Sequence, residues 1–561
     1  MATKKRILGS VLRYPHFESF AVEWQGTQDE LAELARGTLG AEWRVEPLAG
    51  DDFEIFNPAH LKSGWEPVRT VAAVDPLERP PTEIPTAEAW ELARTIRKDP
   101  RATFVEPLFA TYAPAPDEPV MTASLSGGSG GGIAGALNDF EWPLKNARVL
   151  DAWALTGNPG EGIRIAHPDT GYQIHSELDA AGLDLTHDID LMDGDDDALD
   201  PLVSGGLLQS PGHGTSTGSV IISSRGTVGR FVSGVAPHAK LVPIRTSTSV
   251  VLLSMRNLVR ALDHAVATQC HVVSISMGGT GSYALDKAVR RAVSAGLIVV
   301  AAAGNKVRFV VDPGAHPDVV CVAASNFDDK PWSGTCRGGA VSISAPGETV
   351  WRARVAYRNG KVETDVEHSS GSSYGTAIVA GVAALWLSHH GRDALIQRLG
   401  DAALLASTFK AIVRGTARKP SGWKTGSFGR GIVDAKGVLE ADPVAFAPAG
   451  LSTAGAETPA NSVRRRLTTI AGVSRPEAMS MVASIGLLAG AATGDLEPVF
   501  ADLGPEIAFL AATDPAVQKA LRQSAKPQAG AAAGAVDTRL RDALADRKEQ
   551  LSRTAVDALQ L

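Results

Sequence analysis

Residues 377–387, Ala-Ile-Val-Ala-Gly-Val-Ala-Ala-Leu-Trp-Leu, carry no charge and, apart from one indole N–H, no polar side-chain group. The spacing predicts a helix from about Ser373 to His389, and a helix apolar on nearly every side must be enclosed by other elements. The chain therefore has to fold in layers around this segment. Its 561 residues, 44% hydrophobic and 21% charged, suggest two to four ordinary globular domains.

The helix is entered through Gly371-Ser372-Ser373-Tyr374-Gly375. One reading is a Gly-x-Ser-x-Gly nucleophile elbow, as in α/β-hydrolases. That reading needs an acid and then a histidine after the serine. His390 is the last histidine, and no Asp or Glu separates it from Ser373. Upstream, Asp169 ends Ile163-Arg-Ile-Ala-His-Pro-Asp169, and His213 lies in Pro211-Gly-His-Gly-Thr215. The order is acid, histidine, serine, which excludes the elbow and the esterase it would imply.

Each residue has a chemical reason to be where it is. A serine hydroxyl needs a neutral imidazole to take its proton and a carboxylate to hold the imidazole's tautomer. Asp169 follows a short strand, at the carboxyl edge where open α/β sheets place their sites. His213 stands between glycines at the start of a predicted helix. Leu297-Ile-Val-Val-Ala-Ala-Ala-Gly-Asn305 reads as a fully buried parallel strand whose final amide, Asn305, can stabilise an oxyanion together with the Ser373 backbone N–H.

With these residues in place, the chain from about 142 to 442 resembles the subtilisin-like serine peptidases, the subtilases. Gly234-Val-Ala-Pro-His-Ala239, His271-Val-Val-Ser-Ile-Ser-Met-Gly-Gly279, Val341-Ser-Ile-Ser-Ala-Pro-Gly347 and Phe428-Gly-Arg-Gly-Ile-Val-Asp-Ala435 are each similar to a segment of that family. The resemblance implies a three-layer α/β domain with a mainly parallel central sheet and serine endopeptidase chemistry. It assigns Asp169, His213, Ser373 and Asn305 to catalysis. Ser276, Met277, Gly278, Ala303 and Gly304 would line the substrate cleft, with an open apolar S1 region. The match is incomplete at the serine, where the family's alanine is Gly375 and its Pro-His pair is missing. His167-Pro168 replaces the usual apolar pair before the aspartate, and His167 reads as a local structural residue. A catalytically weak peptide-binding protein on the same fold is the alternative.

Residues 1–112 read as βαββαβ, a ferredoxin-like α+β unit with Thr27 capping its first helix and a strand over Val68–Val74. It is similar to subtilase propeptides, which implies an intramolecular chaperone and inhibitor. Residues 113–141, rich in Pro, Ser and Gly, read as a flexible linker. Residues 447–561 open on a Pro/Ala/Gly/Ser linker and read as a helical extension for docking or assembly. Helical periodicity covers Val463–Ala491, Leu496–Leu510 and Thr538–Leu559, with a linker at Gln528–Ala535. Arg464-Arg-Arg466 reads as a solvated helix face.

A net charge of −8 without a basic block argues against nucleic acid as a partner, and the resemblance implies polypeptide substrates. Cys270, Cys321 and Cys336 have neither disulfide-framework nor metal spacing, and read as buried small hydrophobes. Asp193, Asp195 and Asp197 form an acidic cluster, with Asp200 nearby. It reads as a solvated rim that favours basic substrates if it lines the cleft, with Ca²⁺ as the alternative occupant. No other cofactor is required. The first residues do not form a secretory signal, and no run is long enough to span a bilayer, so a cytoplasmic location is expected.

Overall fold

The computed structural model describes residues 16–561 except 64–83, 113–134, 179–180, 203–209, 225–228, 249, 251, 308, 359, 449–457, 474, 491–495 and 526–537. Four strands build the N-terminal unit: β1 (His16–Trp24), β2 (Arg44–Ala49), β3 (Asp52–Phe56) and β4 (Ala102–Tyr112). Helices Gln28–Leu39 and Thr86–Ile96 cover one face. The first helix starts at a capping box: Glu30 N–H donates to Thr27 Oγ1, and Thr27 N–H to Glu30 Oε2 at 2.7 Å. The antiparallel order β2-β3-β1-β4 is the split βαββαβ arrangement. The strand expected over Val68–Val74 lies outside the described residues.

The central unit contains β5 (Arg164–Asp169), β6 (Ile189–Asp190), β7 (Lys240–Arg245), β8 (Leu252–Ser254), β9 (Val272–Ile275), β10 (Ile298–Ala302), β11 (Val320–Ser325), β12 (Ile343–Pro346) and the hairpin β13 (Val350–Arg358) and β14 (Lys361–Ser369). Seven of them form one parallel sheet in the order β12-β11-β10-β9-β5-β7-β6. Both faces are apolar because both are covered. Ile298 and Val300 pack on one side, with the enclosed helix Ser372–His390. Val299 and Ala301 pack on the other, with helices Met255–Ala267 and Tyr283–Ser294. This is the three-layer α/β arrangement expected from the sequence.

Differences appear at the connections. From Gly135 onward the expected linker is packed, not free: Ala136 is buried, and its carbonyl accepts from Trp351 Nε1 at 3.1 Å. The helices expected over Val463–Ala491, Leu496–Leu510 and Thr538–Leu559 are each broken. The first splits into Pro459–Ala471 and Arg475–Leu488 because Gly472 takes a left-handed conformation, φ 63°, which closes the first helix. A further helix, Pro515–Ser524, capped by Asp514, escaped the periodicity reading. The Gln528–Ala535 stretch lies outside the described residues. Among the described residues, no helix is long and apolar enough to cross a membrane. All three cysteines are buried and unpaired, and burial pushes the Cys270 thiol up to about 11.

Candidate active site

A strand end and a helix start bring the acid and the imidazole together. Asp169 is the last residue of β5 and is fully enclosed. His213 is the first residue of helix His213–Ile222, entered through Gly212 at φ 74°. A side chain on Gly214 would strike the Gly171 carbonyl at 2.0 Å, so glycine there lets the two loops meet. His213 Nδ1 lies 2.8 Å from Asp169 Oδ1. Burial works against the Asp169 charge. The neighbouring His213, by charge and hydrogen bond, then His167 and the Thr170 N–H, hold its carboxyl below the ordinary range. Asp169 is thus the ionised partner that fixes the imidazole.

Ser373 lies in the first turn of helix Ser372–His390. Among the described residues no hydrogen bond joins it to His213. Its hydroxyl donates instead to the Ser276 carbonyl at 3.0 Å, while Ser276 Oγ donates to the Ser373 carbonyl at 3.1 Å. Asn305 follows β10 through Gly304, φ 98°, and its Oδ1 accepts the Ser372 N–H at 2.9 Å. With Oδ1 engaged, the Nδ2 hydrogens are the amide's remaining donors. A Cβ placed on Gly371 would lie 3.5 Å from Asn305 Nδ2 and 3.8 Å from Ser373 Oγ, so both groups border one small space. Gly375 is also explained. A side chain there would come within 3.2 and 3.3 Å of the Ala345 and Ala323 carbonyls.

Three of the expected cleft residues sit differently. Ala303 is fully enclosed, packed with Val310, Cys321 and Cys336. Met277 turns its side chain into the core under helices Met255–Ala267 and Tyr283–Ser294, so only its backbone can meet a peptide. Ser276 holds Ser373. All three were assigned by motif, and motif does not record which way a strand residue points. Gly278 and Gly304 do face one slot, but Val311 occupies it. Val311 Cγ2 would lie 2.2 Å from a Cβ on Gly278 and 3.1 Å from one on Gly304. Val311, which reasoning from motifs missed, therefore fills the space between these two glycines.

One polar residue, Asp200, escaped its role, and His167 is the local structural residue that the sequence suggests. Asp200, expected in the acidic rim, is buried. It accepts from Thr170 Oγ1 at 2.8 Å and from Gly212 N–H at 2.7 Å, tying the neighbour of Asp169 to the neighbour of His213. His167 is buried against Thr217 Oγ1 at 3.0 Å, and Thr217 donates to Asp169 Oδ2 at 3.3 Å. Burial keeps His167 neutral, its pKa below the ordinary histidine value, against the pull of Asp169. His167 thus orders the second oxygen of the acid. A polar pair, His167 and Thr217, four residues past His213, was the signal available.

In the acidic rim, Asp193 pairs with Arg245 at 2.6 Å, and Asp197 accepts the Leu199 N–H at 3.2 Å. Asp195 accepts the Asp197 N–H at 3.1 Å. Among the described residues, no three His, Cys, Asp or Glu side chains converge on a point that could hold a metal.

A parallel sheet carrying an acid at the end of β5, paired with an imidazole at a helix start, and a serine in the first turn of the enclosed helix are the features of a serine-peptidase-type domain. Residues 160–432 match the model of the subtilase family, and over this segment the chain belongs to that family. It is similar to a thermostable alkaline protease of Halalkalibacterium halodurans, 31% identical over 233 residues, covering 41% of this chain and 58% of the relative. It is also similar to subtilisin E of Bacillus subtilis, 29% identical, covering 39% of this chain and 57% of the relative. The chain thus spans little more than half the length of these relatives. The solved structure of prenylagaramide maturation protease PagA aligns over 52% of this chain and 97% of its own at 25% identity, with a TM-score of 0.41.

Proposed function

We propose that the chain is a serine endopeptidase held in check by its N-terminal unit. The observation that carries the chemistry is the 2.8 Å pairing of buried Asp169 with His213. On substrate entry the Ser373 hydroxyl rotates from the Ser276 carbonyl to His213 Nε2. Its oxygen attacks the scissile carbonyl as the imidazole takes the proton. Asn305 Nδ2 and the Ser373 N–H receive the oxyanion. His213 then returns the proton to the leaving amine, and water, deprotonated by the same imidazole, cleaves the acyl-enzyme. A fluorophosphonate should form a covalent adduct with Ser373. Peptide binding with no adduct, after the N-terminal unit has been stripped away, would instead favour the non-hydrolytic peptide-binding reading.

The slot between Gly278 and Gly304 supports a preference for small P1 side chains. Widening it by Val311→Ala should raise kcat/KM for a leucine P1 peptide, relative to an alanine one, by at least about 10-fold. An unchanged ratio would move P1 recognition elsewhere.

Inhibition by the N-terminal unit is supported by how it docks. Residues Ala110–Tyr112 of β4 pair antiparallel with β8, occupying that edge as an extended peptide would. Glu54 holds Arg256 in a two-pronged buried pair at 2.6 and 2.7 Å. Glu106 accepts the Ala284 N–H at 2.7 Å, at the positive end of helix Tyr283–Ser294. Burial pushes its carboxyl up to about 7, opposed by the charge of Arg466.

A further inference from the structure

The C-terminal helices share a core with each of the other two units. Phe509, in helix Gly504–Thr513, belongs to the aromatic core of the N-terminal unit, its ring 4.5 Å from Phe109 and 6.4 Å from Trp90. On the opposite side, Phe309 and Val311 of the peptidase unit belong to the core of the C-terminal helices. The polar contacts repeat the pattern. Arg94, on helix Thr86–Ile96, reaches Glu506 at 2.8 Å, Ser552 at 2.6 Å and Asp502 at 3.3 Å. Glu506 is 1% exposed. Arg465 pairs with Asp286 and, at 3.0 Å, with Asp312, and Arg466 donates to the Gly281 carbonyl at 2.6 Å. The solvated arginine face expected at Arg464–Arg466 is therefore turned inward at Arg466, which is buried, and at Arg465, which is half-buried, because the peptidase unit supplies the carboxylates and carbonyl that accept them.

We propose that residues 459–561 are a clamp whose binding partner is the N-terminal unit, retaining it on the peptidase unit after the connection between them is cut. This deepens the inhibitor reading and rests on it. Both Phe109 and Trp90 back the strand that runs on to Ala110–Tyr112 at the β8 edge. The clamp therefore braces the segment that would have to leave the cleft. Linker cleavage alone does not release the inhibitor, and activation requires the clamp to be removed or displaced.

The test uses the full chain carrying Ser373→Ala, with a recognition sequence for a site-specific peptidase inserted within residues 113–134. After cutting, the N-terminal fragment should stay with the rest of the chain in gel filtration. Arg94→Glu sets a like charge against Glu506 and Asp502. It should speed departure of the fragment by at least about 30-fold, the scale of losing one partner of a buried charge pair. Phe509→Ala removes the ring contact without altering charge and should also speed it, whereas Arg94→Lys should stay closer to the parent. Fragments leaving at the parent rate in both Arg94→Glu and Phe509→Ala would overturn the clamp. With the serine restored, a fluorogenic peptide with alanine at P1 separates the two ideas. Accelerated departure with no gain in hydrolysis would overturn the inhibitor reading and leave the clamp standing.

Discussion

Ser373→Ala is expected to reduce peptide turnover by about 10⁶-fold while leaving the fold in place; that size of loss is known from removal of the corresponding serine in subtilisin. In the proposed mechanism the hydroxyl supplies both the attacking oxygen and the proton that His213 accepts. The structural cost is small. The hydroxyl's one described partner is the Ser276 carbonyl, and a single neutral hydrogen bond contributes about 1 kcal/mol. Thermal unfolding of the variant should therefore overlay that of the parent within a few degrees. A loss under about 100-fold, measured on the chain freed of its N-terminal unit, would mean that another group attacks the substrate.

Asn305→Ala should lower kcat by about 10²–10³-fold, equivalent to about 3–4 kcal/mol of barrier, a magnitude again measured on the oxyanion amide of subtilisin. KM should change far less, because the amide meets charge that exists only after attack. Asn305 is exposed, so its removal costs the fold little beyond its bond to the Ser372 N–H. Equal losses from kcat and from substrate affinity would recast the residue as a ground-state contact.

Much of this architecture was legible in the residues. The all-apolar segment 377–387 demanded enclosure, and it became the central helix. Leu297–Asn305 had the continuous hydrophobicity of a doubly covered strand, and it became β10. The order of Asp169, His213 and Ser373 separates two serine chemistries in the residues alone. What stayed hidden depends on long-range placement. Asp200 looked like one more acid in an acidic loop, since nothing local marks a carboxylate that will be buried between two loops. Val311 packs against Gly278 and Gly304 through contacts that no periodicity announces. Arg465 and Arg466 looked solvated because their partners, Asp286, Asp312 and the Gly281 carbonyl, lie more than 150 residues away in the chain. The broken C-terminal helices turn on single residues such as Gly472, where a period-based reading runs straight through.

The insertion of Phe509 beside Phe109 also governs when the protein can be finished during synthesis. The two rings are 400 residues apart, counted from 109 to 509, and the ribosome needs roughly 20–80 s to cover that distance at 5–20 residues per second. For that interval the N-terminal unit has an aromatic core with one wall missing, and the peptidase unit is made in its presence. That wall can close only after the peptidase unit, which lies between the two rings in the chain, has been produced.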